Sequence, residues 1–180
     1  VLKPGGRVAI SDIVSDEPVP EQMKKNPQLW SGCIAGALTE VDFMQHFLKA
    51  GFIAANYEKW DLQAWQTLEG IEFRSVTLTA RKSDGRACLD KGHAVIYRGP
   101  YRSVHDDEGH AYFRGERMAV CERSYALLTQ GPYREDFIGI EPKELKDPVP
   151  WCAASGTRRP AAETKGAKHA ATETNGASCC

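Results

Sequence analysis

Six cysteines, at positions 33, 88, 121, 152, 179 and 180, are the residues of this 180-residue chain whose types and placement could do chemistry. Cys33 stands in Trp30-Ser-Gly-Cys-Ile-Ala-Gly-Ala-Leu38, flanked by small residues and ahead of a helix start. Small neighbours let a ligand approach closely, so this thiol reads as a ligand or nucleophile rather than as packing. Cys88, in Gly85-Arg-Ala-Cys-Leu89, has polar surroundings that make it solvent-accessible. Cys121 closes the apolar stretch Met118-Ala-Val-Cys121 and reads as a small core hydrophobe. Cys152 follows Pro148-Val-Pro-Trp151, a stretch too irregular to give it a role. Cys179 and Cys180 are adjacent thiols in a tail with nothing to bury them. Such a pair is an oxidation liability, and its natural role is to chelate one soft ion, since thiolates prefer thiophilic centres.

Composition removes several classes. There is no Cys-x-x-Cys, and the five histidines do not sit at zinc-finger intervals. A formal net charge of −1 leaves no basic patch for nucleic acid and no cationic helix for a membrane surface. With no apolar leader and no membrane-spanning run, the expected compartment is the cytoplasm, where scattered cysteines serve metals or catalysis more often than disulfides. The first residue is not an initiator, and Val1 to Gly6 reads as the end of a helix running into a turn, so the chain is expected to be the C-terminal part of a longer protein.

The elements that must position these thiols follow from patterning. After the Lys3-Pro-Gly-Gly6 turn, Arg7 to Ser11 reads as a short buried strand. Prolines at 18, 20 and 27 leave at most one short helix between Glu17 and Leu29 and little core. Thr39-Glu-Val-Asp42 is a capping box. The helix behind it should bury Val41, Phe43, Met44, Phe47 and Leu48 and stop at Gly51. Phe52 to Tyr57 and Arg74 to Ala80 read as strands, the second alternating at Val76, Leu78 and Ala80. Composition changes at Lys82-Ser-Asp-Gly-Arg86, a domain boundary. Beyond it, 94–97, 102–105, 111–114 and 116–120 read as short strands of one small antiparallel sheet, completed by a helix over 122–130 and a strand at 137–140. From Ala153 onward the chain has no aromatic or branched aliphatic residue and is expected to be disordered.

Leu2-Lys-Pro-Gly-Gly6, Ile10-Ser-Asp-Ile13, Leu29 to Leu38 around Cys33, Ala50-Gly-Phe52, Glu69 to Val76 and Ala94-Val-Ile-Tyr-Arg-Gly-Pro100 resemble arsenite S-adenosylmethionine methyltransferases. Asp106-Asp-Glu-Gly-His110, Arg114-Gly-Glu-Arg117, the Thr164-Lys-Gly166 segment and the terminal Cys-Cys extend the resemblance over nearly the whole chain. The fold it implies is α/β: the C-terminal part of a class I, Rossmann-like methyltransferase sheet over 1–82, then a small α+β domain with a short antiparallel sheet over 83–150 and a flexible cysteine-bearing tail over 151–180.

The activity it implies is transfer of methyl groups from S-adenosylmethionine to cysteine-bound trivalent arsenic, as arsenic detoxification. Cys33 matches the arsenic ligand of the methyltransferase domain and Cys88 the ligand at the start of the C-terminal domain, with Cys179 and Cys180 as additional metalloid-binding thiols. A thiol reductant and trivalent arsenic are the implied partners, with no nucleic acid, no membrane and a monomeric state. The family's Gly-rich cofactor loop, acidic ribose contact and upstream arsenic-site cysteines have no counterpart here. No cofactor-binding residue is therefore assigned, and the chain alone is expected to be inactive. The alternative reading is a non-catalytic As(III)-binding module.

Overall fold

The computed structural model describes residues 2–144 and 146–164, and the chain divides into two compact units, Val1–Gly85 and Arg86–Cys180. Cys179 and Cys180 lie outside the described residues.

In the first unit the elements are β1 (Arg7–Ser15), α1 (Glu21–Lys24), α2 (Pro27–Ser31), β2 (Leu38–Thr39), α3 (Glu40–Lys49), β3 (Phe52–Trp60), β4 (Gln66–Leu68) and β5 (Ile71–Lys82). One sheet runs β2-β1-β5-β3, with β4 also on β5. The last strand is thus inserted between the first and the third, antiparallel to both. Its alternation predicts this central place: Phe73, Val76 and Leu78 are fully buried and Ala80 nearly so. Helix α3 covers one face, with Phe43, Met44 and Phe47 against Val14, Val76, Leu78 and Ala80. The expected cap forms, Thr39 Oγ1 accepting from Asp42 N at 3.0 Å. Aspartate is a methylene shorter than the usual glutamate, and its Oδ2 accepts from the Thr39 hydroxyl at 2.9 Å. Gly51, at φ 80°, ends the helix.

Three expectations for this unit are corrected. Val41 is 68% exposed, because it stands two residues, about 200° of helix, from Phe43 and so faces away from it. The proline-rich stretch carries two short helices, and Val19 and Met23 are core residues with Ile34, Ile71 and Phe73. Pro27 starts α2 rather than breaking it, since Asn26 caps it by accepting from Gln28 N at 3.0 Å. The strand at Arg7 to Ser11 is mostly exposed, and full burial is reached only at Val14 and Ser15, where β2 pairs with β1 on the edge away from β5.

In the second unit β6 (Leu89–Asp90), β7 (Ala94–Tyr97), β8 (Ser103–His105), β9 (Ala111–Phe113), β10 (Arg117–Ala119), α4 (Glu122–Gln130), β11 (Phe137–Ile140) and β12 (Val149–Pro150) follow in order. The strands do not form one sheet. They form a three-stranded sheet β10-β7-β11 and two separate pairs, β8 with β9 and β6 with β12. Val95, Tyr97, Tyr112, Met118, Val120, Leu128 and Phe137 make the core. The segment expected to be loose from Ala153 is docked as far as Thr164. Arg159 donates to the His93 carbonyl at 3.1 Å and pairs with Asp90 at 2.8 Å, while Thr164 Oγ1 accepts from Arg117 at 2.8 Å. Apolar content alone misjudged this segment, because buried polar anchors hold it.

Candidate functional site

Cys33 sits in the turn between α2 and β2. The Leu29 carbonyl accepts from both Ile34 N (3.0 Å) and Ala35 N (3.1 Å), and Cys33 N donates to the Trp30 carbonyl at 3.2 Å. Ile34 and Ala35 are drawn into the core at 1% and 2% exposure. Cys33 between them and the helix end has φ 60° and is exposed. A side chain other than glycine in this region costs about 1–2 kcal/mol, and strain of this kind clusters at functional positions. Gly36 lies beside Trp30, and an added Cβ there would meet the indole at 3.7 Å, an ordinary contact.

Cys88 belongs to the second unit and has company that sequence reasoning missed. The β6–β12 pairing sets Leu89 against Pro150, and Trp151 N donates to the Cys88 carbonyl at 2.9 Å, which brings Cys152 alongside. Cys121, 4% exposed, is the N-cap of α4, its sulfur accepting from Ser124 N at 3.5 Å. The Cys88 thiol interacts with both Cys121 and Cys152. Burial, then the neighbouring Cys121 sulfur, push the Cys88 thiol up to about 12, although Arg123, whose Nη2 lies 3.6 Å from its sulfur, acts the other way.

Beside this cluster lies a polar network. The Asp106 carboxylate accepts from His110 N at 2.9 Å, faces His110 Nδ1 at 2.9 Å and accepts from the Tyr112 hydroxyl at 2.8 Å. Burial and then Asp106 raise the Tyr112 hydroxyl above its ordinary range. With Nδ1 against Asp106, His110 turns its Nε2 toward Cys152, 3.8 Å from the Sγ. Ligand atoms of Asp106, Glu108 and His110 all lie within 4.8 Å of one another, and Glu108 is paired with Arg123. The signal in the sequence was the Asp106-Asp-Glu-Gly-His110 turn, whose spacing places carboxylate and imidazole together. Asp106 and Tyr112 also line an aromatic cavity with Tyr97, Tyr101, Tyr133 and Phe137.

A family model described as a domain of unknown function, DUF8838, matches residues 84–169. An arsenite methyltransferase of Aquipseudomonas alcaligenes is 28% identical over 149 residues, 76% of this chain and 43% of that protein. One from Halobacterium salinarum is 48% identical over 89 residues, 46% of this chain and 23% of its own. The chain is similar to arsenite methyltransferases over these spans. It spans less than half the length of these relatives. Its structure is similar to the crystal structure of CrArsM, an arsenic(III) S-adenosylmethionine methyltransferase from Chlamydomonas reinhardtii, at 21% identity and a TM-score of 0.46 over 83% of this chain and 54% of that one. Cys33 falls in the first unit and Cys88 in the second. No helix of the described residues is long and apolar enough to cross a membrane.

Proposed function

We propose that this chain is the C-terminal, arsenic-holding portion of an arsenite methyltransferase, with Cys33 and Cys88 as thiol ligands to trivalent arsenic. Cys33 carries the reading. A strained, exposed thiol just ahead of two buried residues is poorly explained by packing and well explained by a ligand that needs a fixed sulfur.

Arsenite exchanges hydroxyl groups for thiol sulfur, and three sulfurs leave the arsenic lone pair outward as the nucleophile toward a methyl group. Positioning that acceptor is the chain's contribution. S-adenosylmethionine supplies an electrophilic methyl in enzymes of this kind. The described residues do not fit it: the Lys3-Pro-Gly-Gly6 turn closes on itself, Gly6 N donating to the Lys3 carbonyl at 2.9 Å, and a Cβ at Gly6 would lie 2.8 Å from that oxygen. No residue of this chain is assigned to the donor, and methylation in the whole protein, for detoxification in the cytoplasm with a thiol reductant, belongs to the same proposal.

The test is Cys33→Ser in the full-length enzyme. A hydroxyl is a hard, poorly ionised ligand on arsenic, so methylation should be abolished while S-adenosylmethionine binding persists. Wild-type turnover in that variant would remove the ligand assignment. The thiol cluster of the second unit favours a second reading, As(III) binding without catalysis, and methyl transfer by the 180-residue chain alone would exclude it.

A further inference from the structure

We infer that the aromatic cavity of the second unit is a binding site for a small quaternary ammonium ion. The site is separate from the arsenic reading, because no cysteine is among its described lining residues.

The lining carries the inference. The cavity has a volume of about 260 Å3, below the range of drug-sized sites and suited to a compact ligand. Its depth is made by Tyr97, Tyr112 and Phe137, at 3%, 2% and 6% exposure, together with the buried Leu128. Phe137 stands at 44° to Tyr97 and at 81° to Tyr112, with ring centroids 5.5 Å and 5.2 Å away, so the wall offers rings in more than one orientation, as a cage requires. Tyr133 lines it half-buried, and Tyr101, 70% exposed, stands at the mouth. Tyr101 is fixed there from the inside: its N–H donates to the Tyr97 hydroxyl at 3.3 Å. The Pro100 carbonyl before it accepts from Arg114 at 2.7 Å. Two carboxylates, Asp106 and Asp136, join these rings, and no lysine or arginine is among the described lining residues.

Charge and hydrogen bonding select the ligand. An anion would meet two carboxylates, and a neutral apolar molecule would gain nothing from them. A primary ammonium brings three N–H donors that need acceptors. Asp106, the deeper carboxylate, already accepts from Glu108 N, His110 N and the Tyr112 hydroxyl and faces His110 Nδ1, so its oxygens are committed. A quaternary ammonium has no N–H to satisfy. Its diffuse charge is stabilised by the faces of aromatic rings and by a nearby carboxylate without a hydrogen bond. The tyrosine hydroxyls sense the same negative field: burial first, then Asp107 and Asp106, push Tyr133 up to about 12.

The experiment uses the full 180-residue chain, free of arsenic, with choline as probe and 3,3-dimethyl-1-butanol as its uncharged counterpart of the same shape. Calorimetric titration gives the two affinities, and saturation transfer to the probe's methyl protons reports their contact with the rings. Potassium chloride at equal ionic strength controls for screening of surface charge. Choline should bind saturably and at least about tenfold more tightly than the alcohol, the margin that a desolvated cation gains from aromatic faces. Tyr101→Ala, at an exposed position, should weaken choline severalfold, and Tyr101→Phe should keep most of the affinity. Asp136→Asn should weaken choline and leave the alcohol unchanged, without touching the Asp106 hydrogen bonds. Equal affinity for choline and the alcohol would show an apolar cavity only and overturns the site. Absence of saturable choline binding overturns it too, as does choline binding indifferent to both Tyr101→Ala and Asp136→Asn, which would place the cation elsewhere.

Discussion

At the scale of the residue, Cys33 and Cys88 differ in what the fold asks of them. The fold holds Cys33 at φ 60°, so Cys33→Gly relieves about 1–2 kcal/mol of strain against about 0.5–1 kcal/mol of added chain entropy. Thermal unfolding should show this variant unchanged or up to about 1.5 kcal/mol more stable, although its thiol is gone. A clear loss would mean that the sulfur itself holds the loop. Cys88 has a thiol raised from 9.0 to about 12, so the folded state resists its ionisation. Iodoacetamide should label Cys88 slowly at pH 8 in the native chain and much faster in denaturant. The folded protein's preference for the protonated thiol is fully present below pH 9 and lost as pH climbs toward 12. Equal native and denatured labelling rates would contradict that environment. Sequence reading singles out both thiols, because local composition and the resemblance mark them. It missed the company of Cys88, since Cys121 and Cys152 come beside it through pairings that no local pattern encodes.

At the scale of the element, what was legible is what local chemistry decides. The α3 cap, the Gly51 stop, the alternation of β5 and the bounds of β7, α4 and β11 all depend on neighbours a few residues away. Removing the cap by Thr39→Ala should cost about 1 kcal/mol, and Thr39→Ser should restore most of it, both measurable by urea denaturation. Leu78, fully buried at the centre of the first unit's sheet, should cost about 2–5 kcal/mol as Leu78→Ala, with amide exchange rising first in β1 and β3. What was not legible depends on distant partners. The division of the second unit's strands into one sheet and two pairs follows from which edges meet. The exposure of β1 follows from β2 reaching only Val14 and Ser15.

At the scale of the whole molecule, the stretch 153–164 shows how polar groups alone can dock a segment. Arg159, whose side chain is 7% exposed, meets Asp90 and Glu163 and lies over the Trp151 ring at 5.6 Å. Arg159→Met should cost on the order of 3 kcal/mol, because Asp90 and the His93 carbonyl lose their donor; a denaturation midpoint within error of wild type would show the docking to be incidental. The first unit carries a different kind of consequence in its opening turn. Gly5 N donates to the Lys82 carbonyl at 3.1 Å and Lys82 N to the Gly6 carbonyl at 2.9 Å, so its chain enters and leaves at one place. A polymer closed in this way has no privileged beginning. Residues 5 and 82 could be linked directly and new ends cut at the exposed Glu69–Gly70 turn, and the permuted ring would still hold the same strand order and present Cys33 on the same strained turn.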